Sequence, residues 1–518
     1  MNVLCLTQAR SLDLFHGLVR ALATKAPVGR AGYYVADRKY YRRFLAEHPA
    51  LEAETVVAHE WDAMARAARG RPDVARLRAL EARLGDPVLW GALLADRRVI
   101  LGRNATFRQE YAPRYDHDRM LRILEETAST LESLFDEVRP DVVLSFICVT
   151  VGDYLGQLIA RARGIPFLNL RPTRIANFVH FSDTVLEPSA RITAAYQARR
   201  ARRPADDWQR QAAQYVARVQ RGDARYEGVL EAPAPGPRRG LFARAAHLAR
   251  ALGEHYALET DTHHDPEYLQ ALWHSKVVAP LRRARLGRLC AEAGGGGDRE
   301  YVLFPLHTEP EVTLLVYSPA CRNQVEVVRN LAQSLPVGME VLVKEHPAAL
   351  GKRPLTYYRR LLEIPNVRLA GPGSSSGPLI EKARFVATVA GTIGLEAAFR
   401  SRPVLLFGHA PYEILPQTMV RRVTDFNATA AAVHELLRGH EHDEEALEDY
   451  VAAVMAESVR VDLYSRLLRR ADAYSERGRT ATQEAEREAD LASLAGYTLR
   501  CLAREQSVTP HLAATERV

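Results

Sequence analysis

Cysteine is scarce. Five residues in a chain of 518 (Cys5, Cys148, Cys290, Cys321 and Cys501) are widely spaced, odd in number and never in a Cys-x-x-Cys pair, which argues against a disulfide scaffold and leaves reduced thiols. Long apolar runs are missing too: no window holds the roughly 20 uncharged residues of a membrane span. The opening residues Met1 to Arg10 lack a basic leader followed by an apolar stretch. The expectation is a cytoplasmic protein, at most touching a membrane surface. No Gly-x-Gly-x-x-Gly follows the first apolar run, and no Walker-type phosphate loop occurs, which disfavours a dinucleotide at this end and P-loop chemistry. Two clusters rich in His and acids, Glu259 to Asp265 and His440 to Asp443, precede helical stretches, where such residues commonly cap, and neither has the spacing of a zinc or iron site. No metal and no cofactor is expected.

What is present is the composition of a folded protein, 47% hydrophobic and 26% charged, on a chain longer than one core normally serves. Lys and Arg number 70 against 63 Asp and Glu. The excess is mostly Arg, which suits phosphate recognition but also reads as ordinary surface, so nucleic acid gains no support as a partner.

Val3 to Leu6 is a short apolar run followed by Leu14, Phe15, Leu18 and Leu22 at helical spacing, a strand and helix opening an α/β domain. Residues 37–135 read as mainly helical. Strand patterns return at Pro140 to Phe146 and Phe167 to Leu170, the second leaving through Arg171-Pro172-Thr173-Arg174. Two arginines at a strand's carboxyl end, Arg171 and Arg174, fit an anionic ligand, and equally a salt-bridged loop. Residues 189–289 read as a helical insertion, broken by the proline-rich Ala232 to Pro237. After it, Arg238 to Arg250 places Leu241, Phe242, Ala245 and Leu248 on one face among arginines, a pattern of a packed amphipathic helix or of one lying on an anionic membrane. Gly294 to Gly297 mark a joint.

Beyond the joint, apolar runs alternate with helical patterns, which predicts a parallel, doubly wound sheet. Strands are expected at Tyr301 to Leu306, Glu340 to Lys344, Val367 to Ala370, Phe385 to Val389 and Val404 to Phe407. Helices are expected near 322–334, 354–363, 376–383 and 392–400. In such sheets ligands bind at the strands' carboxyl ends, and the candidates sit there. Lys344-Glu345-His346-Pro347 puts an imidazole at a strand end, able to meet a phosphate oxygen, move a proton or merely cap the sheet. Gly391-Thr392-Ile393-Gly394 opens a helix directly after a strand, where free amides favour an anion; Glu396 follows one turn later. Ser374 and Ser375 lie in a hydroxyl-rich loop beside it, and His307, Glu309 and Glu311 follow the first strand, where a carboxylate can serve as base or nucleophile.

These residues resemble a bacterial family of capsule polysaccharide biosynthesis proteins. The matching pieces run in consistent order from Phe304-Pro305-Leu306-His307 and Glu309-Pro310-Glu311 through Gln324, Leu335-Pro336, Val343 to Pro347, Ile364 to Val367 and Thr392 to Glu396 to Pro403 to Gly408. Ala95-Asp96-Arg97, Pro140 to Val143 and the Arg171 to Arg174 exit match more loosely. The resemblance implies a glycosyltransferase-B architecture: an N-terminal acceptor lobe over residues 1–290, including the insertion, a C-terminal nucleotide-sugar lobe over 298–440, and helices with a tail over 441–518. It implies a metal-independent transferase, hexosyl- or Kdo-type, that moves a sugar from a nucleotide donor such as CMP-Kdo to a glycan or lipid-linked acceptor at the inner membrane. His346 would be catalytic and touch the donor phosphate, with Glu309 or Glu311 as the acid or base. His307, Lys344, Glu345, Pro347, Ser374, Ser375, Gly391, Thr392, Gly394 and Glu396 would hold the donor. Asn323 stands where the family has an acid, and His409-Ala410-Pro411-Tyr412 where it has an aromatic run. A nucleotide-sugar 2-epimerase, a glycerophosphate transferase and a non-catalytic assembly subunit are the other expectations for this fold.

Overall fold

A computed structural model describes residues 1–85, 88–101, 113–223, 246, 273–293, 299–469 and 481–515. The chain forms two α/β lobes, each built on a twisted sheet buried on both faces. The first sheet comprises β1 (Val3–Thr7), β2 (Ala31–Val35), β3 (Val56–His59), β4 (Val142–Ser145), β5 (Phe167–Pro172), β6 (Phe178–Ser182) and a late strand, β13 (Val459–Arg460). The second comprises β7 (Tyr301–Pro305), β8 (Glu340–Lys344), β9 (Val367–Leu369), β10 (Val386–Thr388), β11 (Val404–Leu406) and β12 (Val420–Arg422). Their orders are β13-β6-β5-β4-β1-β2-β3 and β12-β11-β10-β7-β8-β9. In each, the first strand sits at the centre and the order reverses beside it, between β1 and β4 and between β7 and β10. That is the doubly wound arrangement, in which the crevice at the reversal takes ligands. All pairings are parallel except those of β6 with β5 and β13.

Apolar runs without alternation make these strands. β1 and β2 are buried at every residue, as strands covered by helices on both sides must be. In the first lobe α1 (Ser11–Ala23) covers one face, and α2 (His117–Val138) with α3 (Val151–Ala162) covers the other. The five expected strands of the second lobe are present within two residues of their predicted ends, and so are the four helices. Residues 37–135, expected to be mainly helical, also hold the half-buried edge strand β3.

The insertion begins with two helices, α4 (Ala190–Ala201) and α5 (Asp207–Gln220). Ile192, Tyr196, Tyr215 and Val216 pack with Phe399, Leu447 and Val451 in one cluster beside the second sheet. The Pro-rich stretch, most of the amphipathic Arg238 to Arg250 run, the Glu259 to Asp265 cluster and the Gly294 to Gly297 joint lie outside the described residues. Asp443 does cap, accepting the Ala446 amide at 2.8 Å, while the His440 ring meets the Thr418 carbonyl at 2.9 Å. All five cysteines are buried and free.

Further elements among the described residues also join the lobes. Residues Thr313–Tyr317 of the second lobe insert Leu315 and Val316 into the first lobe's core beside Leu93 and Leu155. At the far end β13 adds to β6, and a long terminal helix, Ala481–Thr515, returns to α1, where Arg487 meets Asp13 at 3.2 Å.

Candidate functional site

The reversal point of the second sheet gathers most of the candidate residues. β7 ends at Pro305, and two residues on, the buried His307 points across to β10. Its Nε2 lies 3.3 Å from Thr388 Oγ1 and accepts the Ala390 amide at 3.3 Å. Accepting at Nε2 places the ring proton on Nδ1, which faces Glu311 Oε2 at 3.8 Å. Thr388 Oγ1 also accepts the Gly391 amide at 3.2 Å. A Cβ at 391 would stand 3.2 Å from the His307 ring and 3.0 Å from Thr388 Oγ1, so glycine lets the loop close over the imidazole.

Gly391 caps the eight-residue helix α7 (Thr392–Phe399) without any side-chain cap. Its first amides and positive dipole end therefore remain directed at the crevice, with Thr392 exposed beside them. Tyr412 lies beneath and donates to the Gly391 carbonyl. Gly394 faces that ring, since a Cβ there would stand 2.2 Å from the Tyr412 hydroxyl. The missing side chain at Gly394 admits Tyr412.

From β8, Lys344 is buried at the strand end. Desolvation lowers its pKa, against the attraction of Glu345 and Glu396; Glu396, exposed on α7, is raised by desolvation against the pull of Arg400 and Lys344. Among the described residues the Lys344 ammonium makes no hydrogen bond or ion pair shorter than 4 Å, an arrangement that invites an anion. His346 accepts the Ala348 amide on Nδ1 at 3.1 Å, capping the turn Pro347–Ala349. Its proton is thereby fixed on Nε2, the nitrogen left for a ligand. Desolvation, opposed by Glu311 and Glu345, lowers its pKa. His346 therefore presents a neutral donor at physiological pH.

Beneath these groups lies a buried network that sequence reasoning missed. Arg353, fully buried, bonds to Glu345 and to the His307 carbonyl, reaches Glu309 at 3.5 Å, and stacks over Tyr357 at 5.0 Å. Glu345 also accepts the His346 amide at 2.6 Å and the Tyr358 hydroxyl at 2.6 Å. Gln324 accepts the His307 amide at 2.7 Å, donates to its carbonyl at 3.2 Å, and donates to Glu309. Both carboxylates are thus turned into the protein. Glu309 and Glu345 hold the backbone on which the histidines stand, and of the two carboxylates after β7 the one left partly open is Glu311, with 40% side-chain exposure.

Other candidates lie apart. Arg171 is buried in an ion pair with Glu187 at 2.7 Å, donates to the Leu186 carbonyl and Asn169, and stacks over Tyr317 at 5.5 Å. That is the salt-bridged alternative. Arg174, with φ 66°, stands half-buried in the turn after β5. Ser374 folds into its own loop, its amide on the Gly371 carbonyl at 3.0 Å. Ser375, exposed, precedes α6 (Ser376–Lys382) without capping it. Gly373 to Gly377 spell Gly-x-Ser-x-Gly, but among the described residues no histidine bonds to Ser375, so no nucleophile triad forms.

Comparison with known proteins bears on this lobe most directly. Residues 254–441 match the family described as capsule polysaccharide biosynthesis protein. Protein FixF of Sinorhizobium fredii is 30% identical over 158 residues, 29% of this chain and 36% of FixF; the chain thus matches about a third of that curated relative's length. Similar solved structures include the β-Kdo 2,7 transferase of Thermosulfurimonas dismutans KpsC, with TM-score 0.36 and 13% identity over 70% of this chain and 88% of that one. The UDP-GlcNAc 2-epimerase of Neisseria meningitidis has TM-score 0.23 and 11% identity over 88% of this chain and 99% of its own. The matched stretch, residues 254–441, contains every strand of the second sheet and both crevice histidines.

Proposed function

We propose that the protein is a glycosyltransferase of surface polysaccharide synthesis, moving a Kdo-like sugar from a CMP-activated donor to a glycan or lipid-linked acceptor. The observation that carries this reading is the convergence at one sheet reversal of the buried Lys344, without a hydrogen-bond or ion-pair partner among the described residues, the Nε2–H of His346 and the uncapped start of α7. All three stabilise negative charge, and a leaving nucleotide phosphate is where such charge develops.

In this reading the acceptor hydroxyl oxygen bonds to the anomeric carbon as the bond from that carbon to the phosphate oxygen breaks. The electron pair leaves with the nucleotide, towards Lys344, His346 and the α7 amides. The acceptor's proton passes to Glu311, which the His307 Nδ1–H faces. Thr392 and Glu396 flank the same helix start, within reach of donor hydroxyls. No helix among the described residues is long and apolar enough to cross a membrane, so a lipid-linked acceptor would be met from the membrane surface.

A thermal-shift screen against CMP, CDP, UDP and GDP tests the donor, because a ligand of the folded state raises its melting temperature. CMP is expected to stabilise; stabilisation by UDP alone would overturn the Kdo-like reading. Product analysis separates the neighbouring chemistry, since an epimerase turns over without an acceptor.

A further inference from the structure

Residues 273–290 carry one lysine, four arginines and no acid. They form a helical turn, His274–Val278, continuous with the helix Ala279–Ala293. One side of this rod packs on the second lobe: Leu286 and Cys290 are buried, the Cys290 thiol against the Ala370 carbonyl at 3.5 Å. The other side is open, with Trp273 59% and Leu281 56% exposed. Lys276, Arg283, Arg285 and Arg288 are exposed around them. Within the helix Ala279–Ala293, Leu281, Ala284 and Arg288 share one arc, with Arg285 on its flank. An indole and a leucine left in water forgo burial, and crowded cations without an acid repel. An anionic lipid surface relieves both at once, taking the apolar groups into the headgroup region and pairing the cations with phosphates.

We infer that this face lies on an anionic phospholipid bilayer. Charge complementarity favours that occupant, and the apolar groups, interspersed with cations, do not form the contiguous apolar core of a protein interface. The helix start also abuts the rim of the crevice. Gly351, at φ +83°, leaves room for the Ala279 carbonyl, which a Cβ there would approach to 2.4 Å, and Arg282 donates to the Lys352 carbonyl at 2.6 Å. This loop follows His346 and Pro347, so a bilayer on the basic face lies beside the crevice mouth. That the mouth serves a lipid-linked acceptor rests on the transferase reading; the bilayer contact does not.

The full-length protein, without donor, is sedimented with vesicles of mixed phosphatidylglycerol and phosphatidylcholine and with vesicles of phosphatidylcholine alone. Binding is expected only to the mixed vesicles and is released by salt. It falls about fivefold for each of Arg283, Arg285 and Arg288 replaced by Ala, and about tenfold in a Trp273→Ala/Leu281→Ala variant, with circular dichroism unchanged. Brominated lipid quenches the wild-type tryptophan emission, and the quenching is lost in Trp273→Phe. Equal vesicle binding by all variants would overturn the inference. So would retention on soluble heparin without vesicle binding, which would mark a site for a polyanion instead. Vesicle binding as described with no sugar transfer leaves this inference standing and defeats the transferase reading; transfer to a soluble acceptor without vesicle binding does the reverse.

Discussion

His307 Nε2 and Thr388 Oγ1 lie 3.3 Å apart, across the point where the strand order of the second sheet reverses. The loops leaving β7 and β10 turn away from each other there, and this contact ties them together. It also fixes the tautomer that turns Nδ1–H towards Glu311, and it holds the loop that opens α7 through the Gly391 amide.

Thr388→Val keeps the shape and removes the hydroxyl. Loss of this bond is expected to lower stability by about 1 kcal/mol and turnover by about tenfold, through misplacement of Gly391 and the ring. Urea denaturation and a transfer assay read the two effects. A variant with wild-type turnover would detach the contact from the chemistry.

Glu309 and Glu311 stand two residues apart in the chain but in opposite environments. Glu311→Gln, at a partly open position, is expected to change stability by about 0.5 kcal/mol or less and to lower turnover by about a hundredfold or more. Arg353→Met, which strands Glu309 and Glu345 as buried charges, is expected to cost about 3–5 kcal/mol. If Glu311→Gln transferred sugar normally, the base would have to be sought elsewhere.

Gly394 and Tyr412 form a packing pair. Gly394→Ala drives a methyl group into the Tyr412 hydroxyl and is expected to cost about 1–3 kcal/mol. Tyr412→Phe removes that oxygen, so the double variant should recover part of the loss, a coupling of about 1 kcal/mol. Additive losses in chemical denaturation would refute the pairing.

His180, buried on β6 beside Arg171, is held down to about 3, first by desolvation and then by the arginine. The folded state does not take up the proton that the unfolded chain binds near pH 6.5. Its contribution is therefore complete above that pH and is lost progressively as pH falls towards 3, by about 2 kcal/mol at pH 5. His180→Gln should flatten the stability profile between pH 6.5 and 5; an unchanged slope would place the acid lability in other groups.

The ends of β8 and β10 were legible because their apolar runs stop abruptly at His-Pro and Gly-Thr, a local pattern. β2 was overlooked because Ala31-Gly32 opens it weakly, and β3 because it is a half-buried edge. The roles of the two glutamates were not legible. What separates them is Arg353, 46 residues after His307, whose letter among other arginines gives no sign that it is fully buried. Arg171 shows the same limit: at a strand end it fits a ligand or a salt bridge, and only its partner Glu187 decides.

The central claim, that donor phosphate charge is received at this crevice, rests most directly on His346, whose ring carries its free N–H at Nε2. The deciding measurement is sugar transfer from a CMP-activated donor by wild-type protein and by His346→Ala, with melting temperature recorded alongside. The account predicts transfer by the wild type, loss of turnover by about a hundredfold or more in the variant, and a melting temperature within about 2 °C, as for a surface substitution. Unchanged turnover in a folded His346→Ala protein would contradict it.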